Sequence, residues 1–214
     1  MGRPREFDET VVLDAAMNRF WAQGYEATSV RDLAASMGIT GASLYNAFGD
    51  KQSLYRRALD HYVEHSVRDR ISCLGAPPPV TAIQAFFDEI IERSVGDAER
   101  RGCLLVNAAM EVAPYDAEFR AAVFQEVESI REFFYACVAA GQRDGTITAS
   151  ASAEALAALL LSTLLGLRIM ARIQRQQDVL DAPVKAVLGL LKTPAAPLLE
   201  GAAKRARTAR PAGR

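Results

Sequence analysis

Arg31, Tyr45, Asn46 and Lys51 fall within one short stretch of the chain, and each carries a group suited to a DNA duplex. The Arg31 guanidinium can fork onto guanine O6 and N7, and the Asn46 amide can pair with an adenine edge or donate to a phosphate. Tyr45 offers a phenolic donor and a flat apolar face, suited to a phosphate or a thymine methyl. Lys51 would stand in the first turn of a helix, where free N–H groups and the helix dipole also favour a phosphate oxygen.

Such groups need a scaffold that pushes them outward, and the intervening residues supply one. Ser29 opens a helix with Asp32 three residues on as its capping-box partner, and Val30, Leu33, Ala34 and Met37 form the inner face. Gly38 stops that helix. Thr40 caps a very short next one, whose buried edge is Leu44 and Phe48 alone, at i, i+4. Gly41, Ala42, Ser43, Tyr45, Asn46 and Ala47 are left facing outward. Two short helices across a Gly-containing turn form a helix-turn-helix. A helix that presents small and hydrogen-bonding residues enters a major groove about 12 Å wide without steric conflict. Upstream, Asp8 caps a first helix striped by Leu13, Ala16, Met17, Phe20 and Trp21, and Gly24 should end it in the left-handed conformation. Downstream, Gly49 and Asp50 stop one helix and start a fourth, predicted to run to about Cys73 with Tyr55, Ala58, Leu59, Tyr62 and Val63 on one side.

Helical period continues beyond the break at Gly75-Ala76-Pro77-Pro78-Pro79. The spacing predicts helices over 80–95, 102–112, 116–143, 152–177 and 183–192, punctuated by Gly102, Pro114, Gly145 and Pro183. Segment 152–177 is apolar nearly all round between Ala155 and Leu167, which predicts burial on all sides. Its small residues Ala155, Ala158, Ser162 and Gly166 favour a subunit interface. With no convincing β-branched alternation, the fold class is all-α. A three-helix helix-turn-helix unit occupies residues 1–50, a larger helical bundle residues 51–199, and a basic tail residues 200–214.

The chain has 214 residues, half of them hydrophobic and 24% charged, which excludes a disordered protein and a small disulfide-stapled domain. Cys73, Cys103 and Cys137 are too widely spaced for a zinc knuckle or a CxxC redox pair. Met1-Gly2-Arg3-Pro4-Arg5 leads into a charged stretch, and the longest uncharged apolar run, between Glu154 and Arg168, is thirteen residues. A membrane span needs about 20, so the expectation is a cytoplasmic protein with no membrane partner. Net charge is −1, but residues 1–65 carry seven Lys/Arg against nine Asp/Glu. That balance argues against strong nonspecific DNA affinity unless Arg3, Arg5, Arg31 and Lys51 lie on the DNA side. Lys204, Arg205, Arg207, Arg210 and Arg214 make residues 204–214 +5, and their composition reads as a solvated, disordered C-terminus.

Thr28-Ser29-Val30-Arg31-Asp32-Leu33-Ala34, then Gly38-Ile39-Thr40, then Ser43-Leu44-Tyr45-Asn46-Ala47-Phe48-Gly49-Asp50-Lys51 with Leu54-Tyr55 resembles the TetR/AcrR family of bacterial transcriptional regulators. The resemblance covers roughly residues 8–60, and the Leu-Tyr-x-x-Phe-x-x-Lys spacing at Leu44, Tyr45, Phe48 and Lys51 is its most specific part. Ala15-Ala16, Phe20 and Gly24-Tyr25 fit the family's first helix, whereas Gly41-Ala42 stands where a Lys or polar pair often sits. The resemblance implies a homodimer gripping successive major grooves of a palindromic operator, most simply a repressor released when the bundle binds a small molecule. The DNA-facing set is Thr28, Arg31, Thr40, Gly41, Ala42, Ser43, Tyr45, Asn46 and Lys51. The other class of function open to this sequence is a helical ligand-binding or scaffold protein that no longer reads DNA.

Three further signals need weighing. His61-Tyr62-Val63-Glu64-His65 spells the H-x-x-E-H zinc pattern, but these are the only two His in the chain and a catalytic zinc needs a third protein ligand. No enzyme, cofactor or metal is expected. Cys103 follows Arg100-Arg101-Gly102 near a helix start, where cations and the helix N-terminus favour a thiolate. Some regulators similar to this chain sense electrophiles or oxidants through such a cysteine. Finally, Phe86, Phe87, Ile90, Met110, Phe124 and Phe134 are candidates to line a ligand pocket, with Asn107 and Glu111 as polar anchors.

Overall fold

Helices in this chain begin where a side-chain oxygen can take up the orphan N–H groups of a first turn. Asp8 accepts from the Thr10 N–H at 2.9 Å, Thr40 from Ser43 at 3.1 Å and Asp50 from Ser53 at 2.7 Å. Asp116 and Ser152 cap in the same way. Ser29 and Asp32 form the full capping box, each side chain accepting the other's N–H at 3.1 Å. This hydrogen bonding to Ser29 holds the Asp32 carboxyl below the usual carboxylate range.

The computed structural model describes residues 7–68 and 77–192. Arg3, Arg5, Cys73 and the basic tail over 200–214 lie outside the described residues. Among those described there are nine α-helices and no β-strand: α1 Glu9–Gln23, α2 Val30–Met37, α3 Gly41–Phe48, α4 Lys51–Val63, α5 Pro79–Gly96, α6 Leu104–Glu111, α7 Ala117–Asp144, α8 Ala153–Ile173 and α9 Gln177–Leu191. One π-helical turn, Glu64–Arg68, continues α4.

α1 packs on α2 and α4 and, with α3, makes a small N-terminal unit; α5, α7, α8 and α9 form the bundle, with α6 between them. Leu33, Leu44, Phe20, Leu54 and Tyr55 are fully buried in the first unit, and Phe86, Phe87, Phe134, Leu160 and Leu191 are buried in the bundle. Both sets belong to one continuous apolar core.

Three expectations need correction. Gly24 has positive φ (83°), but its ψ of 168° is extended and not left-handed helical. The Glu111 carboxylate lies beneath this turn, accepts the Tyr25 N–H at 2.7 Å, and would sit 3.0 Å from a Cβ added at Gly24. It thereby directs the chain outward. Next, α8 ends at Ile173 and α9 runs through Pro183, which was read as a break. The break falls instead at Gln174–Gln176, where the Arg175 guanidinium donates to the carbonyls of Val95 and Asp97. Pro183 is exposed, and it deprives only the Val179 carbonyl of a helical donor.

Third, α8 is buried on one side only. Leu156, Ala157, Leu160, Leu164 and Leu167 face the core, whereas Ala155, Ala158, Leu159, Ser162, Gly166, Ile169 and Ile173 are exposed. By length and composition α8 is apolar enough to cross a membrane, but much of that apolar surface is spent inside the bundle.

Glu111→Ala should free the Tyr25 amide. Exchange of that amide with solvent is expected to accelerate, with stability falling by about 1–2 kcal/mol, as for loss of a charged hydrogen bond. Hydrogen exchange resolved to Tyr25, together with thermal melting, checks both.

Candidate nucleic-acid interface

The shortest helices of the N-terminal unit are held by very few side chains. α2 buries Leu33, Ala34 and Met37, and α3 buries only Leu44 and Phe48. Phe7 stacks on Phe48 with centroids 6.4 Å apart, and the Arg57 guanidinium covers the same ring at 4.8 Å. Because α3 gives two residues to the core, the rest of its eight-residue surface remains outward. Tyr45 is 52% exposed, and Ala42 and Asn46 are exposed beside it, while Gly41, Ser43 and Ala47 are half-buried. A Cβ added at Gly41 would meet open space, so the start of α3 is sterically clear.

Thr40 and Ser43 are committed to each other, their hydroxyls 2.9 Å apart. Their positions are fixed by the cap of α3. Arg31 is exposed in the first turn of α2. The Lys51 ammonium at the start of α4 lies 4.2 Å from the centroid of the Tyr25 ring, a cation–π contact that aims it across the α1–α2 turn. Thr28 does not join this face as a side chain. It is fully buried and its hydroxyl donates to the Gly24 carbonyl at 2.7 Å, bracing the turn. Of the remaining members of the expected set, Arg31, Thr40, Ala42, Tyr45 and Asn46 are exposed and Gly41, Ser43 and Lys51 are half-buried.

The residues expected to line a ligand pocket do not act as one group. Phe86, Phe87, Ile90 and Phe134 are buried, the three Phe rings packing on one another at 5.3–6.2 Å, and of the four Phe86 and Ile90 also line a small cavity beside Cys103. Met110 is 65% and Phe124 59% exposed, on the outer sides of α6 and α7. Val123, one residue back along α7, takes the inner face in place of Phe124. Glu111 is held by the Tyr25 amide, and Asn107 accepts from the Arg172 guanidinium at 2.9 Å.

The H-x-x-E-H residues are engaged elsewhere. His61 Nε2 lies 2.7 Å from the Asp14 carboxylate, and His65 Nδ1 lies 2.9 Å from the His61 carbonyl. Among the described residues no group of three or more His, Cys, Asp or Glu is arranged to hold a metal.

Cys103 does have an unusual environment. It is the N-cap of α6, half-buried, and it accepts the Tyr62 hydroxyl at 3.5 Å. Burial by itself pushes the thiol up, but the Arg168 guanidinium, the Tyr62 hydroxyl and the N–H groups of Val106 and Leu105 outweigh it. The thiol is therefore held below its ordinary range. Cys137, with burial alone acting on it, is pushed up to about 11. Gly102 is required just before Cys103: its φ is 72°, and a Cβ there would lie 2.6 Å from the Arg172 side chain.

Arg168 was missed in the sequence, where the available signal was an Arg on the inward-facing stripe of a mostly apolar helix. It is 8% exposed and donates to the Ser94 hydroxyl at 3.1 Å and to the Gly102 carbonyl at 2.6 Å.

Residues 12–58 match the family model for bacterial regulatory proteins of the tetR family, and residues 79–187 match the tetracyclin repressor-like C-terminal domain. The chain is 31% identical over 194 residues to the uncharacterized HTH-type transcriptional regulator YezE of Bacillus subtilis (strain 168), covering 89% of this chain and 100% of that protein. It is 28% identical to the HTH-type transcriptional repressor DhaR of Mycobacterium sp. (strain GP1), covering 76% and 81% of the two chains. Among solved structures, a cysteine mutant of the TetR family transcriptional regulator CifR, complexed with 26-base-pair double-strand operator DNA, aligns with a TM-score of 0.77 at 35% identity. That alignment covers 87% of this chain and 98% of CifR. The motif Leu44-Tyr45-x-x-Phe48-x-x-Lys51 thus lies within a matched reading unit, and the bundle carries a match of its own. The chain belongs to the TetR family of bacterial transcriptional regulators.

Proposed function

We propose that this regulator is a cytoplasmic, non-enzymatic repressor that binds a two-fold symmetric operator as a homodimer and is released by a small molecule. One observation carries the reading: α3 spends only Leu44 and Phe48 on the core and leaves Ala42, Tyr45 and Asn46 free beside a sterically open Gly41. That surface fits a major groove, with Tyr45 and Asn46 at base edges or phosphates and Arg31, Thr40 and Lys51 holding the backbone. CifR, at 35% identity, is complexed with double-strand operator DNA, which supports the same partner here.

Dimerisation is supported by the exposed apolar face of α8. Leu159, Ile169, Met170 and Ile173 there, with Leu190 on α9, are large apolar side chains in the open. Interspersed Ala155, Ala158, Ser162 and Gly166 would let a second copy approach closely. One short helix reads few bases. A two-fold pair doubles them at about 34–36 Å separation. A small molecule relieves repression only to the extent that it favours the state with the wrong separation.

Cys103 favours a second mode of response, in which an electrophile or oxidant modifies the thiolate beside Arg168 and Tyr62. Its lowered proton affinity makes the reactive form available at lower pH than for an ordinary thiol.

Tyr45→Ala and Lys51→Ala should each weaken operator binding about tenfold or more while melting stays close to wild type, because neither residue is in the core. Fluorescence anisotropy with an operator selected from random duplexes measures this, and unchanged affinity in both variants would dismiss the reading face. The salt dependence should correspond to about three to four phosphate contacts per monomer. For the thiol, iodoacetamide labelling mapped by mass spectrometry should modify Cys103 well below the pH at which Cys137 reacts. The Cys103 rate should fall only as pH drops through its lowered value and the thiolate is protonated. Equal pH profiles at the two cysteines would reject the sensor reading.

A further inference from the structure

A cavity of about 420 Å³ opens between α1, α4, the end of α5 and α8, where the N-terminal unit meets the bundle. Ligand sites commonly fall in the range of about 300–1,000 Å³, so this one has room for a molecule of one or two rings. Its walls combine two kinds of surface. Trp21 and Tyr62 present aromatic faces edge-on to one another with centroids 5.0 Å apart, a setting in which a flat ring packs well. Around them stand three guanidiniums, Arg93, Arg101 and Arg168, against the single carboxylate of Asp97.

Within the cavity wall guanidiniums outnumber carboxylates, although Glu89 pairs with Arg93 and Glu99 with Arg101 from outside it. Both Asp97 oxygens already accept from Arg101, one from its backbone N–H at 2.7 Å and the other from its guanidinium at 3.2 Å. Arg93 stands half-exposed at the mouth, paired with Glu89. Buried Arg168 donates to the neutral oxygens of Ser94 and Gly102 and also meets the Cys103 thiol and the Tyr62 hydroxyl, and Cys103 lines a smaller adjoining cavity that shares Tyr62 and Arg168. A guanidinium so placed favours a planar anion that can accept a pair of its N–H groups. The Trp21 Nε1–H adds an independent signal, being a buried donor with no acceptor among the described residues. A buried donor of this kind is costly unless something fills its vacancy.

We propose that this cavity binds a small aromatic carboxylate, with the ring lying against the wall that Trp21 and Tyr62 form and the carboxylate taken by Arg168 and Arg93. The proposal rests on the small-molecule-responsive reading above and names the ligand class and the place. Inorganic phosphate would satisfy the guanidiniums but leave the aromatic walls unfilled. A neutral aromatic amide would fill the walls but leave the charge unmatched. The site also explains how occupancy reaches the reading unit. Trp21 belongs to α1, and the Arg101 guanidinium now covers its ring at 4.3 Å while donating to Asn18 of the same helix. A ligand that draws Arg101 or displaces the indole acts directly on α1.

Trp21 is the only tryptophan in the chain, so the emission of the full-length protein reports on the cavity. Titration with benzoate should give a saturable change in Trp21 emission, whereas benzamide and phosphate should bind at least about tenfold more weakly. Arg168→Met should weaken benzoate binding about tenfold. Because Arg168 is buried, the half-exposed Arg93→Gln serves as a second variant expected to weaken binding with unchanged melting. No saturable response to benzoate, an equal response to benzamide, or full affinity in Arg93→Gln and a folded Arg168→Met would overturn the proposal. Anisotropy of the operator complex in the same titration separates the two readings. Benzoate binding at Trp21 with the complex intact refutes ligand release and leaves the site standing. Release of DNA by benzoate without a Trp21 response refutes the site and leaves ligand release standing.

Discussion

Tyr55 lies fully buried on α4 with its ring 4.7 Å from Phe20, 5.0 Å from Tyr25 and 5.3 Å from Phe119. A single side chain on α4 therefore touches α1, the turn that follows α1, and the start of α7. Each such aromatic pair contributes about 0.5–1.5 kcal/mol beyond the area it buries. Burial pushes the Tyr55 hydroxyl well above the ordinary phenol range, so the ring stays neutral at any physiological pH. Polar contacts surround this column: Gln52 to the Asp116 carboxylate, Arg56 to Glu118, and the Tyr25 N–H to Glu111. The unit carrying α3 is thus joined to the bundle by packing at its centre and hydrogen bonds at its edge. A shift of α4 or α6 must be felt at the turn before α2.

The reading unit carries more acidic than basic residues, yet the candidate interface is not acidic in character. Several of its carboxylates are occupied internally: Asp32 in the α2 cap, Asp50 in the α4 cap, and Glu9 against Arg57. Arg31 stays exposed, and Lys51 is aimed by the Tyr25 ring. Net charge over a segment says how a chain is drawn to a polyanion at a distance. Local placement decides what touches it.

α6 connects two features that the linear sequence keeps apart. Its N-cap is Cys103, beside Arg168 and Tyr62, and its last residue is Glu111, which holds the α1–α2 turn. With eight residues it is about 12 Å long at 1.5 Å rise per residue. It is short enough to move as a rigid rod, and Leu104, Leu105 and Ala108 fix it in the core. Events at the Arg168 end and the geometry of the reading unit therefore share one rigid element, whether the event is occupancy of the cavity or modification of the thiol.

Local chemistry made much of the chain legible without coordinates. Ser29 with Asp32, Thr40 and Asp50 are strong caps that act over three residues, so α2, α3 and α4 begin where their side chains dictate. The i, i+4 pair Leu44 and Phe48 by itself determined which face of α3 turns outward, and with it the exposure of Tyr45 and Asn46. Period was less informative where most of a helix is apolar. It placed Phe124 inside and gave α8 burial on all sides without dividing that burial between the core and a subunit interface, because apolar type does not say which side a neighbouring helix will cover. Thr28 likewise has the chemistry of a surface contact, and only the turn folded back over it puts its hydroxyl on Gly24. The end of α8 was set by Arg175 reaching the carbonyls of Val95 and Asp97, about eighty residues away in the chain. The cavity at Trp21 and Arg168 belongs to the same class: its walls come from four helices and a loop, and no local pattern marks it. Caps and short stripes act within one or two turns and are written in neighbouring residues. Pairing between distant segments depends on which surfaces the whole chain brings together, and only the tertiary structure decides that.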